Sequence, residues 1–253
     1  MANESLHENL KSMSLGDHLE ELRWRMILAL LGIGVGLIIA FWLGDWFLHL
    51  IVIPFENAMQ KAGQEPRLQA IKVAEKFLVY LKACFILAIV ITSPWVFYQI
   101  WAFISAGLYR REKKYIYAVV PASALLFVSG CFFFLFIVAP LALRYFVSFD
   151  TGIDFVNYQP SLTEYVNFIL SLTLVFGLAF QMPIAIVFAE RMGLITVRQL
   201  SSSRKYVILG AAFIAAVATP PDVISQIALA IPLYILYEGS ILTCIFLNRR
   251  KKK

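Results

Sequence analysis

The chain predicts an all-α, polytopic membrane protein with six transmembrane helices, and three observations lead there. Its 253 residues are 60% hydrophobic and only 15% charged, whereas soluble domains carry about a quarter charged residues. Several windows reach the roughly 20 apolar residues that a bilayer-spanning helix requires. The basic residues fall in short clusters between those windows, so a net charge of +6 marks membrane-flanking loops rather than a nucleic-acid surface.

The first element is an amphipathic helix at about 15–24, in SLGDHLEELRWRM. Asp17 is placed to cap it, with Glu20 three residues on as the return partner of a capping box. Leu15, Leu19, Leu22 and Met26 form one apolar stripe. Five acids in the first 25 residues (Glu4, Glu8, Asp17, Glu20, Glu21) and the lack of a small-x-small site argue against a cleaved leader. The first span follows at about 24–43. The second, at 77–106, runs about 45 Å as a helix and must tilt, kink or protrude, with Pro94 as the kink site. The third is read at 115–140 and the fourth at 166–189. The fifth, 206–218, amounts to roughly 20 Å against a hydrocarbon core of about 30 Å. It either thins the bilayer or is buried by partner helices. Two prolines in ATPPDVIS stop it, and Asp222 is placed to cap the sixth, 223–247. Glu238 lies deep in that last span and calls for a partner. Its position puts the end of the true span near Tyr237, so the fifth and sixth helices are both read as short. The whole chain, 1–253, reads as one membrane domain.

Lys and Arg divide sixteen to five between the two sets of loops, with Lys82 inside a span and expected to snorkel outward. The positive-inside rule then puts both termini in the cytoplasm. The cysteines, Cys84, Cys131 and Cys244, each sit in an apolar segment and read as buried small residues. No HExxH, GxSxG, P-loop or paired CxxC is present, so neither an enzyme nor a cofactor is indicated.

Three polar features need an account. Glu21 lies at the expected membrane edge, and Glu112 stands among four bases in GLYRREKKY. Each reads either as a solvated interfacial carboxylate or as an acceptor of one guanidinium in a bidentate pair. Arg would be favoured over Lys there by geometry. In FGLAFQMP, Gln181 and Pro183 interrupt an uncharged run, slightly inward of the expected midplane. Pro183 frees the carbonyl of Ala179. The glutamine is either a hydrogen-bonding dent in a concave wall or a tie to a neighbouring helix.

Together these stretches resemble the TatC family of the twin-arginine protein translocase. The likeness runs through HLEELRWR at 18–25, the proline of IVIPF, SPWVFYQIWAFISAGLYRREKKY at 93–115, and FxxGxxF…P from Phe127 to Pro140. It continues through FGLAFQMPI at 176–184 and ATPPDVISQIALAIPLYILYE at 218–238. The resemblance implies a concave, glove-shaped bundle in a bacterial inner membrane that receives Arg-Arg signal peptides on its cytoplasmic face. With single-span TatA- and TatB-type partners, and by self-association in a larger complex, it would export folded proteins on the proton-motive force. It assigns signal-peptide binding to Glu21 and Glu112 with Arg23, Phe103 and Arg110 nearby, and the intramembrane polar position to Gln181. Partner-helix docking falls on Thr219 and Gln226, with Pro54 and Asp222 at structurally sensitive positions. The chain departs from the common family pattern in having Ala106 for Pro, Gln181 for Glu and Leu135 for Tyr. An alternative of another class, a secondary transporter of a small solute, predicts two related halves. No motif recurs between 24–140 and 166–247.

Overall fold

The computed structural model describes residues 15–106, 116–148, 159–218 and 223–251. Within them the chain is helical apart from short connections, which carry one isolated bridge between Gln69 and Ser161. We number the helices α1 (Leu15–Lys61), α2 (Glu75–Ala106), α3 (Ile116–Phe133), α4 (Ala139–Ser148), α5 (Leu162–Ala179), α6 (Met182–Arg191), α7 (Val197–Ser202), α8 (Arg204–Ala218) and α9 (Val223–Lys251). A π-turn, Phe134–Val138, joins α3 to α4 without a break. Among the described residues, five stretches are long and apolar enough to cross a membrane: Gly16–Lys61, Glu75–Ala106, Val119–Ser148, Leu162–Arg191 and Leu229–Arg249. The expected fifth span is α8, whose 15 residues give roughly 22 Å of helix.

The first helix differs most from expectation. It is one rod of 47 residues, or about 70 Å, and absorbs the amphipathic segment, the first span and IVIPF together. It is already helical at Leu15, so Asp17 lies in its first turn instead of capping it. Of the apolar stripe of that segment, Leu19, Leu22 and Met26 remain 64%, 40% and 55% exposed. Pro54 sits inside the rod and is buried. A proline there removes a donor and crowds the preceding turn. The hydroxyl of Tyr165, on α5, donates to the Ile51 carbonyl in that turn at 2.5 Å.

Helix α2 packs antiparallel along α1 and anchors to its backbone: Trp95 Nε1 donates to Leu28 O at 2.9 Å, and Tyr80 Oη to Phe41 O at 2.8 Å. Pro94 leaves the carbonyl of Val90 without its usual donor, and the neighbouring Ser93 hydroxyl supplies one at 2.8 Å. Pro140 is accommodated differently. Ahead of it, the Ala139 N–H reaches back five residues to Phe134 O, so the ladder widens just before the residue that has no N–H to give. The helix then continues to Ser148, eight residues beyond the expected end of the third span.

Helices α3 and α5 meet at glycines. A Cβ on Gly130 would lie 2.7 Å from the Phe176 carbonyl, and one on Gly177 would lie 2.7 Å from the Phe127 ring. Around this contact, Phe134, Val166, Ile169, Leu170 and Phe176 form the centre of the core. At the end of the bundle away from residue 15, the buried Glu75 carboxylate accepts the N–H groups of Ile71, Lys72 and Thr163 and the Ser161 hydroxyl, at 2.6 to 3.1 Å. It thereby fastens the α1–α2 connection to the start of α5.

The last helix runs unbroken through Glu238 to Lys251, so the chain does not change course at Tyr237 and α9, unlike the expected sixth helix, is not short. The reason is Arg204. Its guanidinium forks onto Glu238 at 2.6 and 2.9 Å, and Tyr234 Oη donates to the same carboxylate at 2.7 Å. Lys82 likewise does more than snorkel, donating to Asn167 Oδ1 at 2.6 Å. The three cysteines are buried and free.

Candidate functional site

The start of α1 and the end of α2 bring a compact polar group together. The i,i+4 spacing puts Glu21 and Arg25 on one face of α1, and Arg25 Nη2 lies 3.2 Å from Glu21 Oε1. From the facing helix, Gln99 presents its side-chain carbonyl to Arg25 Nη1, also at 3.2 Å. Gln99 is only 2% exposed, so a buried amide oxygen fixes the direction of the guanidinium. One turn earlier on α1, His18 stacks on Phe103 with ring centroids 4.5 Å apart and planes 20° from parallel.

Glu21 therefore has two unlike oxygens. Oε1 is taken by Arg25; Oε2 is buried and, among the described residues, has no hydrogen-bond partner. A buried acceptor left empty costs about 1–3 kcal/mol. A new donor reaching Oε2 would recover that, most fully if it were cationic. The site is thus built to accept one more N–H, beside an aromatic stack suited to a flat cation.

The family can now be stated, because the match begins at this group. Residues 17–232 match the family described as Sec-independent protein translocase protein (TatC). The chain belongs to the TatC family. Among its relatives, TatC of Desulforapulum autotrophicum is 37% identical over 235 residues, 93% of this chain and 85% of that one. TatCy of Bacillus subtilis is 35% identical, covering 96% and 93% of the two chains. TatC of Escherichia coli is 33% identical, covering 87% and 84%. A crystal structure of the twin-arginine translocase receptor TatC superposes with a TM-score of 0.81 at 34% identity, over 90% of this chain and 98% of that one. As a TatC-family member the chain is a membrane-spanning component of a protein translocase, not an enzyme.

Within this TatC-family fold, the site residues expected from sequence fall in several places. Glu21 and Phe103 come together at the α1–α2 end. Arg23 does not join them: two residues on, it lies about 200° around the helix and is exposed. Arg110 and Glu112 lie outside the described residues, as do Thr219 and Asp222. Gln181 stands in the turn between α5 and α6, where Pro183 breaks the ladder. Its Nε2 donates to the Ser123 carbonyl of α3 at 2.9 Å. The fully buried Ser123 also takes the Trp101 indole N–H on its hydroxyl, at 2.9 Å. The amide nitrogen thus ties α5–α6 to α3, the second of its two readings. Gln226 is likewise an internal tie, donating to Ala212 O of α8 at 3.0 Å. Pro54 lies at the far end of α1 from Glu21.

Sequence reasoning missed Arg25 and Gln99. The first was legible as the i+4 partner of Glu21, the second as a lone amide in the apolar run WVFYQIW.

Proposed function

We propose that this chain is the signal-peptide receptor of a twin-arginine translocase, taking a peptide arginine on Glu21. The observation that carries the reading is the buried, empty Oε2 of Glu21 beside the His18–Phe103 stack. One peptide guanidinium donates to Oε2 while Arg25 stays on Oε1 and Gln99. Its plane lies against the aromatic pair, which an ammonium cannot match. Glu112 takes the second arginine, with Arg110 setting the approach.

The rest of the reading is a single membrane domain with six crossings in a concave bundle, α8 being the short fifth. Both termini lie in the cytoplasm and the membrane is a bacterial inner membrane. TatA- and TatB-type single-span helices dock near Thr219 and Gln226 on the α8–α9 hairpin, and further copies of the chain join the complex. Folded cargo then crosses on the proton-motive force.

Crosslinking of an Arg-Arg signal peptide to the reconstituted chain tests this. Glu21→Ala and Glu112→Ala should each weaken crosslinking at least tenfold, as expected for losing a charge-assisted bond of about 1.5–3 kcal/mol. A Lys-Lys peptide should bind the unaltered chain poorly. Undiminished crosslinking in both variants would sink the assignment.

A further inference from the structure

At the end of the bundle opposite Glu21, a cavity of about 280 Å³ opens between the last turns of α1 and the π-turn with α4. Its walls include Ile53, Phe136 and Pro140, and its rim carries Lys61, Arg144 and the amide of Asn57. None of the residues lining it is acidic. Among the described residues, the ion pairs engage Arg25, Arg67 and Arg204, so these two rim cations stand without a carboxylate.

The level of the two cations narrows the ligand. Lys61 is the last residue of the stretch Gly16–Lys61, and Arg144 lies four residues before the end of Val119–Ser148, both long and apolar enough to span a membrane. Both lie toward the ends of these stretches rather than in their apolar middles, where a cation can meet a lipid phosphate. The loops on this side are poor in bases, holding five Lys and Arg, yet two of the five converge on one cavity. The π-turn contributes to this convergence. Its extra residue rotates all of α4 by about 100° relative to an uninterrupted helix, and Arg144 with it. At 280 Å³ the space falls just under the roughly 300–1,000 Å³ of small-molecule pockets. It suits a headgroup with the start of one chain.

We propose that this cavity binds an anionic phospholipid. The phosphate lies between Lys61 and Arg144 with the Asn57 amide as a further donor, and the first methylenes run along Ile53, Phe136 and Pro140. Such a lipid bridges the end of α1 to α4, joining elements that are far apart in sequence.

Native mass spectrometry of the full delipidated chain in detergent tests it, with phosphatidylglycerol, phosphatidylcholine and inorganic phosphate as probes. The unaltered chain should retain phosphatidylglycerol over phosphatidylcholine. Lys61→Gln and Arg144→Gln should each lower retention about fivefold, and the pair roughly twenty-five-fold. Ile53→Trp, which fills the groove and leaves the charges alone, should also lower it. Thermal melts establish that each variant is folded, and the single changes stand in for the pair if it is not. Equal retention of the two lipids, or undiminished retention by the folded charge variants, would overturn the proposal. So would complete displacement of the lipid by inorganic phosphate at matched concentration, which would make this a phosphate site.

Discussion

Glu21 and Arg25 act as a unit that Arg23, two residues from either, does not join. Arg25→Ala removes a partly exposed ion pair, worth about 0–1 kcal/mol, and strands the buried Gln99 oxygen. The expected loss is about 1–2 kcal/mol in unfolding of the detergent-solubilised chain. Arg23→Ala should stay within about 0.5 kcal/mol, as exposed positions generally do. Equal effects would show that the cluster has been drawn around the wrong arginine. Gln181 separates its two readings in a similar way. Gln181→Leu breaks the tie to Ser123, and interhelical hydrogen bonds in membranes average about 0.6 kcal/mol and reach roughly 1.7. A drop of that size with transport intact leaves only the structural tie, whereas failed transport in a normally assembled protein restores the dent. Because the residue is an amide, no titrating step belongs to it.

At the scale of elements, the Gly130 and Gly177 contacts are unequal although their distances match. Gly130 faces the Phe176 backbone oxygen first, whereas Gly177 faces the Phe127 ring edge and Cys131 Sγ, side-chain atoms with more room to shift. Gly130→Ala should therefore cost about 2–3 kcal/mol and Gly177→Ala about 1, within the range for overpacked cores, read from thermal melts. At the opposite end, Glu75→Ala strands donors from Ile71, Lys72, Thr163 and Ser161 at once. It should cost about 2–4 kcal/mol and expose the α1–α2 connection to protease. These elements also mark the limits of sequence reading. Five of the spans were legible because hydropathy alone dictates them, and the interruption of the fourth was legible because Pro183 has a local effect. The reach of α1 past Pro54 was not, because a proline in an apolar run reads as a helix end or kink, whereas here the helix runs on to Lys61 with Pro54 buried in the bundle. Nor was the uninterrupted α9: Glu238 reads as a stop until Arg204 is known to face it across the hairpin. Of the candidate site, Glu21 and Phe103 came from motif likeness, whereas the Gln99 contact required the register of α1 against α2.

For the molecule as a whole, the polar groups sort by position along the bundle. An acceptor with one open oxygen lies at the α1 start, ties between helices lie in the middle, and a basic cavity lies at the far end. The proposed six-crossing arrangement, with both termini in the cytoplasm, would put the Gln64 turn outside the cell. A cysteine placed there should react with a membrane-impermeant maleimide on intact cells, while one beside His18 should react only after lysis. The reverse pattern would invert the topology. The central claim is that the open oxygen of Glu21 receives a peptide arginine, and a double-mutant cycle tests it most directly. The affinity of an Arg-Arg signal peptide, and of its Arg-to-Gln forms, is measured against the unaltered chain and Glu21→Gln in nanodiscs. Direct pairing predicts a coupling of about 1.5–3 kcal/mol between Glu21 and one of the two arginines. Strictly additive losses at both arginines would contradict it.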